Sequence, residues 1–112
     1  VEAGKRDAGD VTIIDLVGNI RTNDDYALFK QSIDDALARG KSKLILNFGG
    51  VNFINSSGLG RLVLAAKRAK ESGGAIKIVN LSDDLRELFT FTRLDAKIPV
   101  CATEEEAIKA FS

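Results

Sequence analysis

A chain of 112 residues, 45% hydrophobic and 29% charged, is the size of one globular domain, and folding at this length removes roughly two-thirds of the unfolded surface from water. Sixteen Lys and Arg balance sixteen Asp and Glu, so no excess positive charge draws the chain to nucleic acid or anionic lipid. With no His and one Cys, the usual zinc sites, imidazole-based triads and an intramolecular disulfide are excluded.

In chain order, Val1 to Ala8 is polar and weakly patterned, Gly9-Asp10 signals a turn, and Val11 to Val17 is rich in β-branched residues. Together they predict an edge hairpin closed by Gly18. Thr22, Asn23 and Asp24 offer capping side chains before Phe29, Ile33 and Leu37, whose spacing of four predicts an amphipathic helix stopped by Gly40. Leu44-Ile45-Leu46, within Lys43 to Phe48, is too short for a globular helix and reads as a strand covered on both faces. Val51 to Ile54 is apolar again and meets the turn and capping cluster Asn55-Ser56-Ser57-Gly58.

From there Leu59, Leu62, Val63 and Ala66 recur at helical spacing until Ser72-Gly73-Gly74. Ala75 to Val79 is a short strand. Ser82 caps a helix bearing Leu85, Leu88 and Phe89, with Asp83 and Asp84 at the positive end of its dipole. Ile98 to Cys101 makes a last strand, and Thr103 with Glu106 forms a capping box for a helix with Ala107, Ile108 and Phe111. The order predicts a single-domain α/β fold over residues 1–112: a mixed, mainly parallel sheet with an N-terminal hairpin and about four helices. No apolar run approaches the ~18 residues of a membrane span and no signal peptide precedes Val1, so the expected compartment is the cytoplasm.

Motifs that suggest chemistry mostly dissolve on inspection. Gly40-Lys41-Ser42 lacks the earlier Gly of a phosphate loop, since Asp35 stands there, and it follows a helix instead of a strand. Gly58-Leu59-Gly60 lacks the third Gly of a dinucleotide fingerprint, where Val63 stands. Cys101 has no His or second Cys to activate it and reads as a buried structural thiol. Asp24-Asp25, Asp34-Asp35 and Asp83-Asp84 sit at helix starts or on solvent faces, where dipole and solubility explain them. Without His no base and nucleophile can be assembled, and the expectation is a protein that is not an enzyme and takes no cofactor or metal.

Two stretches stay open. Arg61, Lys67, Arg68 and Lys70 form a local basic run, read as a solvated helix face, with a docking surface for an acidic partner as the alternative. Ser56 and Ser57 meet the first turn of a helix, where one hydroxyl serves as N-cap at about 1 kcal/mol and the other is spare. A helix start also offers free N–H donors to an anion, so the fold itself tolerates a phosphate on the spare Ser.

Over nearly its whole length the sequence resembles the STAS domain family, and within it the bacterial anti-sigma factor antagonists. The resemblance rests on the hairpin ending in Gly18, Leu44-Ile45-Leu46-Asn47-Phe48, Val51-Asn52-Phe53-Ile54-Asn55-Ser56-Ser57-Gly58-Leu59-Gly60, the Leu88-Phe89 helix and Thr103-Glu104-Glu105-Glu106-Ala107. It implies a partner-switching regulator whose unphosphorylated form binds an anti-sigma Ser/Thr kinase and whose phosphorylation ends that binding. By position the phosphoacceptor maps onto Ser56, with Ser57 as second choice and a Ser phosphatase as a further partner. The implied binding surface comprises Arg21, Asn55, Ser56, Ser57, Gly58, Leu59, Gly60 and Arg61.

Two positions depart from that pattern. The family carries Asp before the phosphorylated Ser and a Gly-x-Leu-Asp turn after the second strand, whereas this chain has Asn55 and, after Gly18-Asn19-Ile20, Arg21. Asp24 or Asp25 would be the nearest substitutes for the missing acid. The alternative function is a STAS module that holds a nucleotide or other anion within a larger regulatory or transport assembly.

Overall fold

The computed structural model describes residues 1–111; Ser112, the last residue of the expected domain, lies outside them. The hairpin forms as its sequence predicts: β1 (Glu2–Ala8) pairs antiparallel with β2 (Val11–Val17), from Ala8 opposite Val11 to Glu2 opposite Val17. Gly9 adopts φ 65° in the two-residue turn, a conformation costly for a side-chain-bearing residue. The chain then alternates: α1 (Asn23–Ala38), β3 (Lys43–Gly50), α2 (Ser56–Glu71), β4 (Ala75–Val79), α3 (Asp83–Phe91), a 3-10 turn (Leu94–Ala96), β5 (Val100–Cys101) and α4 (Glu104–Ala110).

The sheet order is β1-β2-β3-β4-β5, with β2 through β5 mutually parallel. Each crossover steps one strand in the same direction, and crossovers of one hand place their helices on one face. That face holds the main core. Ile14, Leu16, Leu44, Leu46, Phe48, Ile76 and Ile78 meet Phe29 and Ile33 of α1, Leu62 and Ala65 of α2, and Leu85 and Phe89 of α3.

Side chains of opposite parity point the other way. Val11, Ile13, Ile45 and Val79 form a smaller cluster with Ala107 of α4, so the run Leu44-Ile45-Leu46 is buried on both faces as expected. Beyond the edge of α4 the same face turns polar. Arg6 holds Asp15 at 2.6 and 2.8 Å and Glu104 at 3.0 Å, and the guanidinium keeps the Asp15 carboxyl below its usual range.

Val51 to Ile54, apolar in the sequence, is a loop with one bridge, Ile54 to Ile20. Two details differ from the sequence reading. The last strand is two residues instead of four, because Pro99 has no N–H to add to the ladder. The cap of α4 is displaced: Thr103 accepts from Glu106 N, but the Glu106 carboxylate accepts from Ala102 N. Ser82 caps α3 as predicted. Among the described residues, no helix is long and apolar enough to cross a membrane.

Candidate functional site

Beyond the ends of β2 and β3 the chain makes two turns that are stitched together. Gly18 N donates to Gly50 O at 2.9 Å, Ile20 N to Phe53 O at 3.0 Å, and Asn55 N to Ile20 O at 3.2 Å. Ile20 and Ile54 are 1% and 4% exposed, so an apolar pair anchors the two turns beneath the start of α2. Arg21 and Asn55, the two positions that depart from the family pattern, therefore adjoin.

Asn55, and neither serine, caps α2. Its Oδ1 accepts from Gly58 N at 2.8 Å and from the Tyr26 hydroxyl at 2.7 Å, while its Nδ2 donates to Arg21 O at 3.2 Å. This corrects the expectation that Ser56 or Ser57 is the cap. The reason lies in α1, whose buried Tyr26 aims a hydroxyl at the Asn55 oxygen and fixes it facing the helix. The network needs one acceptor and one donor on the same side chain; an amide supplies both and a carboxylate cannot donate to Arg21 O. Ser56 and Ser57 are exposed in the first turn, and both hydroxyls are left free of capping.

The two glycines of this segment have opposite roles. A Cβ on Gly58 would lie 2.6 Å from Ile54 Cγ1 and 3.1 Å from Ile20 Cγ2, so Gly58 lets α2 sit directly on the stitched turns. A Cβ on Gly60 would meet nothing within 4 Å. An exposed helical glycine costs about 0.5–1 kcal/mol relative to Ala, and nothing inside the chain requires it. Leu59 between them is half-buried and packs on the main core.

Arg61 reaches back to α1, its guanidinium 4.5 Å from the centre of the Tyr26 ring, a cation–π contact that braces the capping residue's partner. Arg21 is exposed. Asp25 does not replace the missing acid. Its carboxylate accepts from the backbone N–H groups of Arg21 and Thr22, both at 3.0 Å, and completes the capping box of α1 with Thr22. Those N–H donors, with the Val1 amino group at 2.9 Å, hold its carboxyl well below the usual carboxylate range. Asp24 is exposed in the same first turn.

The basic run of α2 divides in two. Arg68 is half-buried and pairs with Asp34 of α1 at 3.0 Å, so it departs from the expected solvated face, whereas Arg61 is exposed while its guanidinium lies on Tyr26. Lys67 and Lys70 are exposed. Cys101 is half-buried beside the smaller cluster. Sequence reasoning missed Tyr26, which sets the cap, and two exposed apolar side chains, Val17 at the end of β2 and Phe53 in the second turn, 53% and 47% exposed. The signal for Phe53 is the Val51-to-Ile54 run itself, in which Val51 and Ile54 face inward and leave Phe53 outward.

The family model for the STAS domain matches residues 4–107. The anti-sigma-B factor antagonist of Bacillus subtilis is 34% identical over 73 residues, 65% of this chain and 67% of that one. A relative from Bordetella bronchiseptica is 29% identical over 73 residues, 65% of this chain and 63% of its own length. Among solved structures, an anti-sigma factor antagonist from Mycobacterium paratuberculosis superposes with TM-score 0.85 at 23% identity, over 98% of this chain and 92% of that one. The phosphorylated form of the Bacillus cell fate determinant SpoIIAA superposes with TM-score 0.73 at 25% identity, over 99% of this chain and all of that one.

Proposed function

The chain belongs to the STAS domain family, and on that premise we propose that it is an anti-sigma factor antagonist, a regulator and not an enzyme, switched by phosphorylation of Ser56. Its partner on this reading is an anti-sigma Ser/Thr kinase, and a Ser phosphatase resets it. The observation that carries the reading is the pair of exposed, uncapping hydroxyls at the start of α2, beside the stitched turns and the exposed Val17 and Phe53. Relatives of this chain are named as anti-sigma factor antagonists, and one of them is known in a phosphorylated form.

The chemistry supports a switch that leaves the fold unmoved. The first turn of α2 contains no acid, and its cap is neutral, so a phosphate on Ser56 meets the positive end of the helix dipole without a like charge in that turn. Arg21, whose backbone carbonyl is held by Asn55, is exposed and is a candidate to pair with it. At an interface the same phosphate, with roughly −1.5 to −2 charges, must be desolvated; a penalty of about 2.8 kcal/mol weakens binding a hundredfold.

The test is phosphorylation by the cognate kinase with ATP, mapped by mass spectrometry. Signal on Ser56 that disappears in Ser56→Ala while Ser57 is intact supports the assignment. Signal confined to Ser57, or on neither serine, overturns it. Calorimetric binding of a nucleotide without any kinase binding would favour the ligand-holding alternative.

A further inference from the structure

One side of α2 carries polar and bare positions that no contact inside the chain uses, around a half-buried Val63 that packs on the main core. Ser56, Gly60, Val63, Lys67 and Lys70 follow steps of four and three, which keep them within about 40° of a common line along the helix. The line begins at the free hydroxyls and passes the exposed Gly60, where bare backbone admits close approach from outside. It then opens on a groove of about 340 Å³ between α2 and the segment 96–98.

The groove is floored by Val63, Ala66 and Ile98 and rimmed by Lys67, Lys70 and Lys97, with no acid among its lining residues. Arg6, Lys30, Lys43 and Arg68 each hold a carboxylate within 3.0 Å, whereas none of these three lysines enters an ion pair among the described residues. In a chain whose charges balance, three unpaired cations around an apolar floor are a local demand for negative charge. From Ser56 to Lys70 the helix rises about 21 Å, the reach of about six residues of extended chain.

We propose that this groove docks an acidic segment of a protein partner, one apolar side chain on the floor and carboxylates at the three lysines. The segment continues along α2 from the partner seated at Ser56, so the proposal rests on the reading of α2 as the face that meets the anti-sigma kinase. The contact is a second one, set apart from the phosphorylated end.

Calorimetry with the anti-sigma kinases of the same genome, at low and high salt, tests it. The double variant Lys67→Glu/Lys70→Glu is expected to lose about tenfold or more in affinity at low salt and less at high salt, while Lys109→Glu, on α4, leaves binding unchanged. Gly60→Ala is expected to weaken binding although it raises the melting temperature, by roughly 3–5 °C, which separates lost contact from lost fold. Wild-type affinity in both the lysine and the glycine variants overturns the groove; if Ser56→Asp abolishes binding in the same series, the switch at Ser56 stands without it. Weakened groove variants beside an unaffected Ser56→Asp uphold the groove and remove the switch. A wild-type chain that binds none of these kinases overturns both, and capture by phosphatidylglycerol vesicles in place of protein overturns the groove in favour of a membrane contact.

Discussion

The two sides of α2 follow different rules. On the inner side every unusual residue is accounted for within the chain: Gly58 is bare because Ile54 and Ile20 press against it, and Asn55 is an amide because Tyr26, Gly58 and Arg21 need both an acceptor and a donor. On the outer side Gly60, Ser56, Lys67 and Lys70 have no such account. Residues the fold does not need, placed in line on a rigid helix, are where recognition by another molecule is to be sought.

Substitutions sharpen this contrast, and the largest effect belongs to the cap. Asn55→Ala removes the N-cap and leaves the buried Tyr26 hydroxyl unpaired, an expected loss of about 2–3 kcal/mol in chemical unfolding. An effect below about 0.5 kcal/mol would show that water replaces the network at no cost. Gly58→Ala and Gly60→Ala are the same chemical change about half a turn apart, on opposite sides of the helix, and should differ in sign. The first crowds Ile54 and is expected to destabilise by about 1–2 kcal/mol net; the second is expected to stabilise by about 0.5–1 kcal/mol. Equal signs would erase the distinction between the two sides.

Acid provides a further probe of the inner side. Asp25 has its carboxyl depressed by the N–H groups of Arg21 and Thr22 and by the Val1 amino group, so its contribution is present above the unfolded value of about 3.9 and is lost as pH falls below it. Asp25→Asn is therefore expected to flatten the fall in stability below about pH 4; an unchanged acid limb would remove Asp25 from the account. The smallest effect is expected on the outer side, where Ser56→Ala should leave stability within about 0.5 kcal/mol of wild type. A larger loss would mean the hydroxyl serves the fold after all.

The element order was readable because turns and caps punctuate each segment: Gly9-Asp10, Gly40, Ser72-Gly73-Gly74 and Ser82 all stand at element boundaries. What escaped were choices made between distant segments. Asn55, Ser56 and Ser57 are all competent caps, and only the Tyr26 hydroxyl, 29 residues upstream of Asn55, selects among them. Likewise Arg68 and Lys67 are neighbours of one charge type in sequence, yet Asp34 claims the first and Lys97 joins the second at the groove. Local pattern fixes which residues can act; partners far along the chain fix which of them do.

The strand order has a consequence for how the molecule comes into being. Because β1 to β5 lie side by side in the order in which they are synthesised, each new strand adds to an edge already laid down, and none must wait to be inserted between two others. Neighbours in the sheet are neighbours in the chain, which shortens the loops to be closed and favours rapid folding. The stitched turns and α2 lie between β2 and β4, so their surroundings on the sheet can form while the last quarter of the chain is still being made. Lys97 and Ile98 arrive late, with the segment that follows α3, and their arrival completes the rim and the floor of the groove.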